Sequence, residues 1–194
     1  LRFETRDSAS SWIDSVWSCT SDDGDAAMTS VASETWGLVF WRQDGVTAAA
    51  VTGPESRAGT APVPEGATFV GVQLAVGTAL RSTRTPALLD GGIALPDVTA
   101  RSFWLDGGWW QTPTADDDEA LVDRLVRSGV IVRDPVVVDD LDGRPTWLAE
   151  RSLERRFRSA TGLTRGAVRQ IVRARSAAVA LMNDVPVDVV VDRY

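Results

Sequence analysis

The chain has 194 residues and a formal net charge of −7, with 20 basic residues that are all arginine and not one histidine. Without histidine there is no Ser-His-Asp triad, no imidazole general base and no histidine-held zinc. Without lysine there is no Walker lysine and no Schiff base.

In chain order, the opening LRFETRDSAS has no apolar signal core. The one cysteine, Cys19, excludes an intrachain disulfide and suits a reducing compartment. Thr35 to Gly77 breaks into short β-rich runs. Trp36–Arg42 and Val46–Thr52 flank Gln43-Asp44-Gly45, whose Asp-Gly pair is a hairpin signal. Thr68–Val76 reads as a further strand, between loops at Gly53-Pro54 and Pro62–Gly66. Asp116-Asp117-Asp118-Glu119 precedes ALVDRLV, where acids favour a helix start, so a helix is expected over Asp117–Val132. A short helix follows over Asp134–Leu141. Asp139-Asp140-Leu141-Asp142-Gly143 hints at a calcium loop, but Val138 and Ala149 occupy its first and twelfth ligand positions, so none is expected.

Arg151 to Leu181 encodes two helices with opposed faces. Leu153, Phe157 and Ala160 recur at helical spacing as a core stripe, and Arg151, Glu154, Arg155 and Arg158 fall on the other side. Thr161-Gly162 ends the first helix, glycine taking the left-handed position, and Thr164 caps the second. In the second, Ala167, Ile171, Ala174, Ala178 and Leu181 are expected inward, and Arg165, Arg169 and Arg173 outward. The charge divides sharply along the chain: residues 1–140 carry a net −11, whereas Arg144 to Ser176 carries nine arginines against Glu150 and Glu154. A local basic surface on packed helices suits a DNA groove, and an acidic first part keeps phosphates off the wrong face. A solvated helix face is the competing explanation for such a row of charge.

The pattern L-x-R-x-F, then glycine, then Thr, at Leu153, Arg155, Phe157, Gly162 and Thr164, resembles the first helix-turn-helix of the AraC family of bacterial transcription regulators. The likeness runs on through Arg175 and Ala177-Ala178 to Pro186-Val187 and the tail ending at Tyr194, where the family pattern would continue into a second recognition helix. Ala149 stands where a serine usually caps the first recognition helix, so Thr146 is expected to cap an earlier start, and Arg165 replaces a common proline. The stretch GPESRAGTAPVPEGATFVGVQLAVGTAL is similar, more loosely, to the β-rich domain ahead of some actinobacterial members. The resemblance implies an α+β chain: a cupin-like sensor or dimerisation domain over 1–115, a connecting helix over 116–133, and a helix-turn-helix unit, incomplete, over 134–194.

It further implies double-stranded promoter DNA as partner, with Arg151, Glu154 and Arg155 facing base edges. An arginine can grip guanine O6 and N7, and a glutamate can accept from cytosine N4. Arg156, Arg158 and Arg165, with the helix start at Thr164, are assigned to phosphates. The first domain would bind a small organic effector or form a homodimer. Lack of histidine argues against a metal-bearing cupin centre, and Trp36, Trp41, Trp104, Trp109 and Trp110 are the candidate pocket walls, although tryptophans serve cores equally well. Trp36 and Trp41, five apart, belong to opposite faces of one strand. No cofactor, metal, membrane span or catalytic activity is expected, and the expected setting is cytoplasmic. The alternative is a ligand-binding or protein-interaction module with no DNA-binding activity of its own.

Overall fold

In the computed structural model, which describes residues 1–22, 27–114 and 116–194, the chain forms a mixed α+β fold. In chain order its strands are β1 (Arg2–Arg6), β2 (Ile13–Thr20), β3 (Ala27–Ser30), β4 (Gly37–Gln43), β5 (Val46–Thr52), β6 (Gly59–Pro62), β7 (Thr68–Leu74), β8 (Thr78–Leu80), β9 (Gly92–Ala94), β10 (Ser102–Leu105), β11 (Gly108–Gln111) and β12 (Ile131–Arg133). The helices are α1 (Asp118–Arg127), α2 (Pro135–Leu141), α3 (Glu150–Thr161), α4 (Arg165–Met182) and α5 (Val187–Arg193).

Six strands make one antiparallel sheet in the order β1-β2-β7-β4-β5-β9, open at β1 and β9. Its central hairpin forms where the Asp-Gly pair predicts it. Asp44 and Gly45 both take positive φ, 51° and 78°, the turn whose twist matches paired strands. Alternation then sorts the side chains. Leu38 and Phe40 of β4, Ala49 and Val51 of β5, Val72 and Leu74 of β7 and Val16 of β2 are buried on one face, in a core shared with Phe103 and Leu105 of β10 and Leu121, Val122 and Leu125 of α1. Trp17, Val39, Trp41 and Phe69 belong to the opposite face, beside the ribbon formed by β3 and β6.

The connecting helix stops earlier than Val132. Its last turn closes at Ser128, Gly129 takes φ 69°, and the β-branched Ile131–Val132 run pairs with β8 as a strand. A second core follows, made of Val137, Leu153, Phe157, Ala160, Leu163, Val168 and Ile171, with Ala32, Val76 and Leu89 of the β part packed against it. The helices therefore rest directly on the sheet part. Asp134 caps α2, its carboxylate accepting from the Val136 N–H.

Two helix expectations need correction. α3 starts at Glu150, with Ala149 at the N-cap and no side-chain cap; Thr146 lies outside the helix, and the Ala149 carbonyl alone accepts from Ser152 and Leu153. On α4 only Val168 and Ile171 are buried, while Ala174, Ala178 and Leu181 are exposed. The second core ends at Ile171, so the C-terminal half of this 18-residue helix runs past it.

Candidate nucleic-acid interface

α3 has two sides with separate work. Leu153 and Phe157 are buried in the second core and fix the helix from behind. Its end is locked by Thr161, whose hydroxyl donates to the Phe157 carbonyl at 2.8 Å and accepts from the Leu163 N–H at 3.1 Å. Gly162 takes φ 76° at the C-cap, as the Thr-Gly pair predicts. Thr164 then caps α4, accepting from the Ala167 N–H at 3.0 Å.

The exposed side of the same helix carries Arg151 and Arg155, one turn apart. Neither makes an ion pair among the described residues. Their neighbours are engaged. Glu154 accepts from Arg158 at 3.1 Å and from the backbone N–H of Arg165 at 3.2 Å, which ties α3 to the first turn of α4. Arg156 donates to Asp134 at 2.9 Å.

Arg165 is turned inward. It grips Asp140 of α2 through two nitrogens, at 2.6 and 2.8 Å, and reaches Glu150 at 2.8 Å. Hydrogen bonding to Asp140 outweighs burial and raises its pKa above the ordinary value. Asp140 itself is buried and takes a third bond from Arg169 at 3.1 Å. The apparent calcium loop is thus a set of arginine partners: Asp139 and Asp142 pair with Arg144, and no metal-holding carboxylate group occurs among the described residues.

Arg175 reaches furthest. From α4 it bonds Asp14 at 2.9 Å and Glu34 at 2.8 Å, both on the β part. Glu34 is 4% exposed, and one of its oxygens has no partner. Burial pushes its carboxyl above the ordinary value, with the Arg175 charge pulling the other way. Arg6 makes a comparable tie, bonding fully buried Asp118 at 2.6 Å and also Glu119, and so holding α1 to the sheet edge. Burial likewise raises the Asp118 carboxyl, against its hydrogen bond from the Glu119 N–H and the Arg6 charge.

The five tryptophans assigned to one pocket are not brought together. Trp36 is a core residue, its indole N–H donating to the Thr78 carbonyl at 2.9 Å. Trp104 and Trp109 meet edge to face on the β10–β11 hairpin, where Trp109 is exposed, and Trp110 bonds the Leu105 carbonyl at 2.9 Å. Trp41 lines a cavity on the far face of the sheet, with Trp17 and Phe69.

No family model, curated protein or solved structure matches this chain. The residues must therefore speak for themselves. Among the described residues, no helix is long and apolar enough to cross a membrane.

Proposed function

We propose that this chain is a DNA-binding transcription regulator of the AraC type, in which α2 and α3 act as a helix-turn-helix and α3 reads the major groove. The β part would be its cupin-like sensor domain, controlled by an effector or by dimerisation. The observation that carries this reading is the pair Arg151 and Arg155: without an ion pair among the described residues, exposed and one turn apart on a helix fixed by buried Leu153 and Phe157. Fork-shaped guanidiniums held on a rigid element suit bidentate contact with guanine.

Glu154 supports the reading differently from its first assignment. Its carboxylate is spent on Arg158 and on the α4 backbone, so it sets the angle between helices; accepting from cytosine would require giving up those bonds. Arg156 and Arg158 sit in exposed ion pairs, which are worth about 0–1 kcal/mol each and can exchange a carboxylate for a phosphate at little cost. Arg165 stays structural, because leaving Asp140 would give that buried charge Arg169 as its one remaining arginine partner among the described residues. Thr164 already accepts from Ala167 and Glu154 from Arg165, so the Gly166 N–H is the part of the first turn of α4 open to a phosphate. The reading needs no catalytic step, cofactor or metal.

Selection from a randomised duplex pool tests this function. A recurring motif should be enriched, and Arg151→Glu with Arg155→Glu should abolish that enrichment while the fold persists by circular dichroism. Enrichment of no motif by the wild type, or the same motif by the double variant, would overturn it.

A further inference from the structure

The sheet has an aromatic face that the core does not use. Side chains from three adjacent strands meet there: Trp17 of β2, Phe69 of β7, and Val39 and Trp41 of β4. Together with the β3–β6 ribbon, which contributes Met28 and Ala61, they border a half-open cavity of about 300 Å³. That volume lies at the small end of ligand pockets.

Local sequence makes the room. Gly71 sits beside Trp17, and a Cβ there would overlap the indole at 2.1 Å, so glycine lets the ring lie down on the sheet. Trp41 stacks on Phe69, with ring centroids 6.4 Å apart and planes 26° from parallel. Trp17 is itself braced by Phe3, stacked at 5.1 Å. The result is a pair of flat aromatic surfaces held by their neighbours, with few rotors left to freeze on binding.

The polar content of the lining decides the ligand class. Among the described residues, no carboxylate, guanidinium or side-chain amide lines this cavity; apart from backbone, its polar groups are Thr52, the Cys19 thiol and the indole N–H groups of Trp17 and Trp41. A charged or many-hydroxyl ligand would lose its water and find too few partners. An uncharged, flat, largely apolar molecule would lose little, stacking on the rings of the sheet and meeting Met28, Ala61 and Pro62 of the ribbon. We infer that this face of the sheet is a binding site for a small neutral aromatic compound, seated between Trp17, Trp41 and Phe69. Trp17 also borders a second cavity of about 470 Å³ that extends to Arg175 of α4. Use of the site as the regulator's sensor rests on the DNA-binding reading, through that contact; the binding itself does not.

Titration with the neutral fluorescent dye N-phenyl-1-naphthylamine tests the site without any DNA. Wild-type protein should bind it saturably with one dye per chain. Val39→Trp fills the cavity from the sheet and Ala61→Trp from the ribbon; whichever variant keeps the wild-type far-ultraviolet dichroism and cooperative urea unfolding should bind about tenfold more weakly or worse, a change of about 1.4 kcal/mol or more. Trp109→Ala, on the exposed hairpin, should leave binding unchanged. No saturable binding by folded wild type, full binding by both filled variants, or loss on Trp109→Ala alone would overturn the assignment. A dye result of either kind leaves the duplex selection to stand or fall separately.

Discussion

Arg151 and Arg155 of α3 look like Arg165, Arg169 and Arg175 of α4 in the sequence and are used in opposite ways, while Arg156 and Arg158 of α3 sit in exposed pairs. On α3, Arg151 and Arg155 stand exposed with no ion-pair partner among the described residues. On α4, Arg165 and Arg169 are drawn to Asp140, and Arg175 is drawn to Asp14 and Glu34. Arg173 is the exception on α4, exposed and likewise unpaired among the described residues. The difference lies in what packs beside each helix. α4 runs past acids of α2 and the sheet part, whereas the outer side of α3 faces solvent. Charge density along a chain therefore measures how much cation is present, and tertiary structure decides how much of it a phosphate or base can reach.

This contrast is best broken by removing one member of each class. The largest effect should come from the shared support: Phe157→Ala, at a site with no exposure, should cost about 3–5 kcal/mol in urea unfolding. Next, Arg165→Ala should lower stability by about 1–3 kcal/mol, because buried Asp140 keeps only Arg169. If α4 arginines are free cations, that variant will unfold like the wild type.

Arg155→Ala should do the reverse. Its stability should stay within about 0.5 kcal/mol of wild type, while binding to a selected duplex weakens by about 1–3 kcal/mol with relaxed preference at one base pair. The smallest effect concerns the tie between the two parts. Burial raises the Glu34 carboxyl above its ordinary 4.5, so the folded chain holds that proton more tightly than the unfolded one. Wild-type stability should then fall, relative to Glu34→Gln, as pH rises from about 4.5 through the raised value. Parallel pH profiles for the two proteins would show that ionising Glu34 costs the fold nothing.

Local signals were legible and long-range ones were not. Asp44-Gly45, Thr161-Gly162 and Thr164 each determine a turn or cap through their own backbone preferences, and the structure has all of them. Leu153 and Phe157 were legible because a periodic stripe needs only one helix to define it. β1, β3 and β6 escaped notice because they are short and poorly buried, with no apolar alternation to read. The partners of Arg175 lie 161 and 141 residues away, beyond any local pattern. The tryptophans mislead for a related reason: residue type makes a pocket wall conceivable, but strand order decides that Trp17 and Trp41 share one face while Trp36 enters the core.

The most direct test of the account is fluorescence anisotropy of a selected duplex against its shuffled counterpart, at two salt concentrations, for wild type, Arg155→Ala and Arg169→Ala. The wild type should prefer the selected duplex at both salts, Arg155→Ala should lose about 1–3 kcal/mol of that preference, and Arg169→Ala, whose charge is already spent on Asp140, should keep it in full. Equal binding of both duplexes by the wild type, with a steep salt dependence, would reduce the arginine face to a phosphate contact and contradict sequence reading by α3.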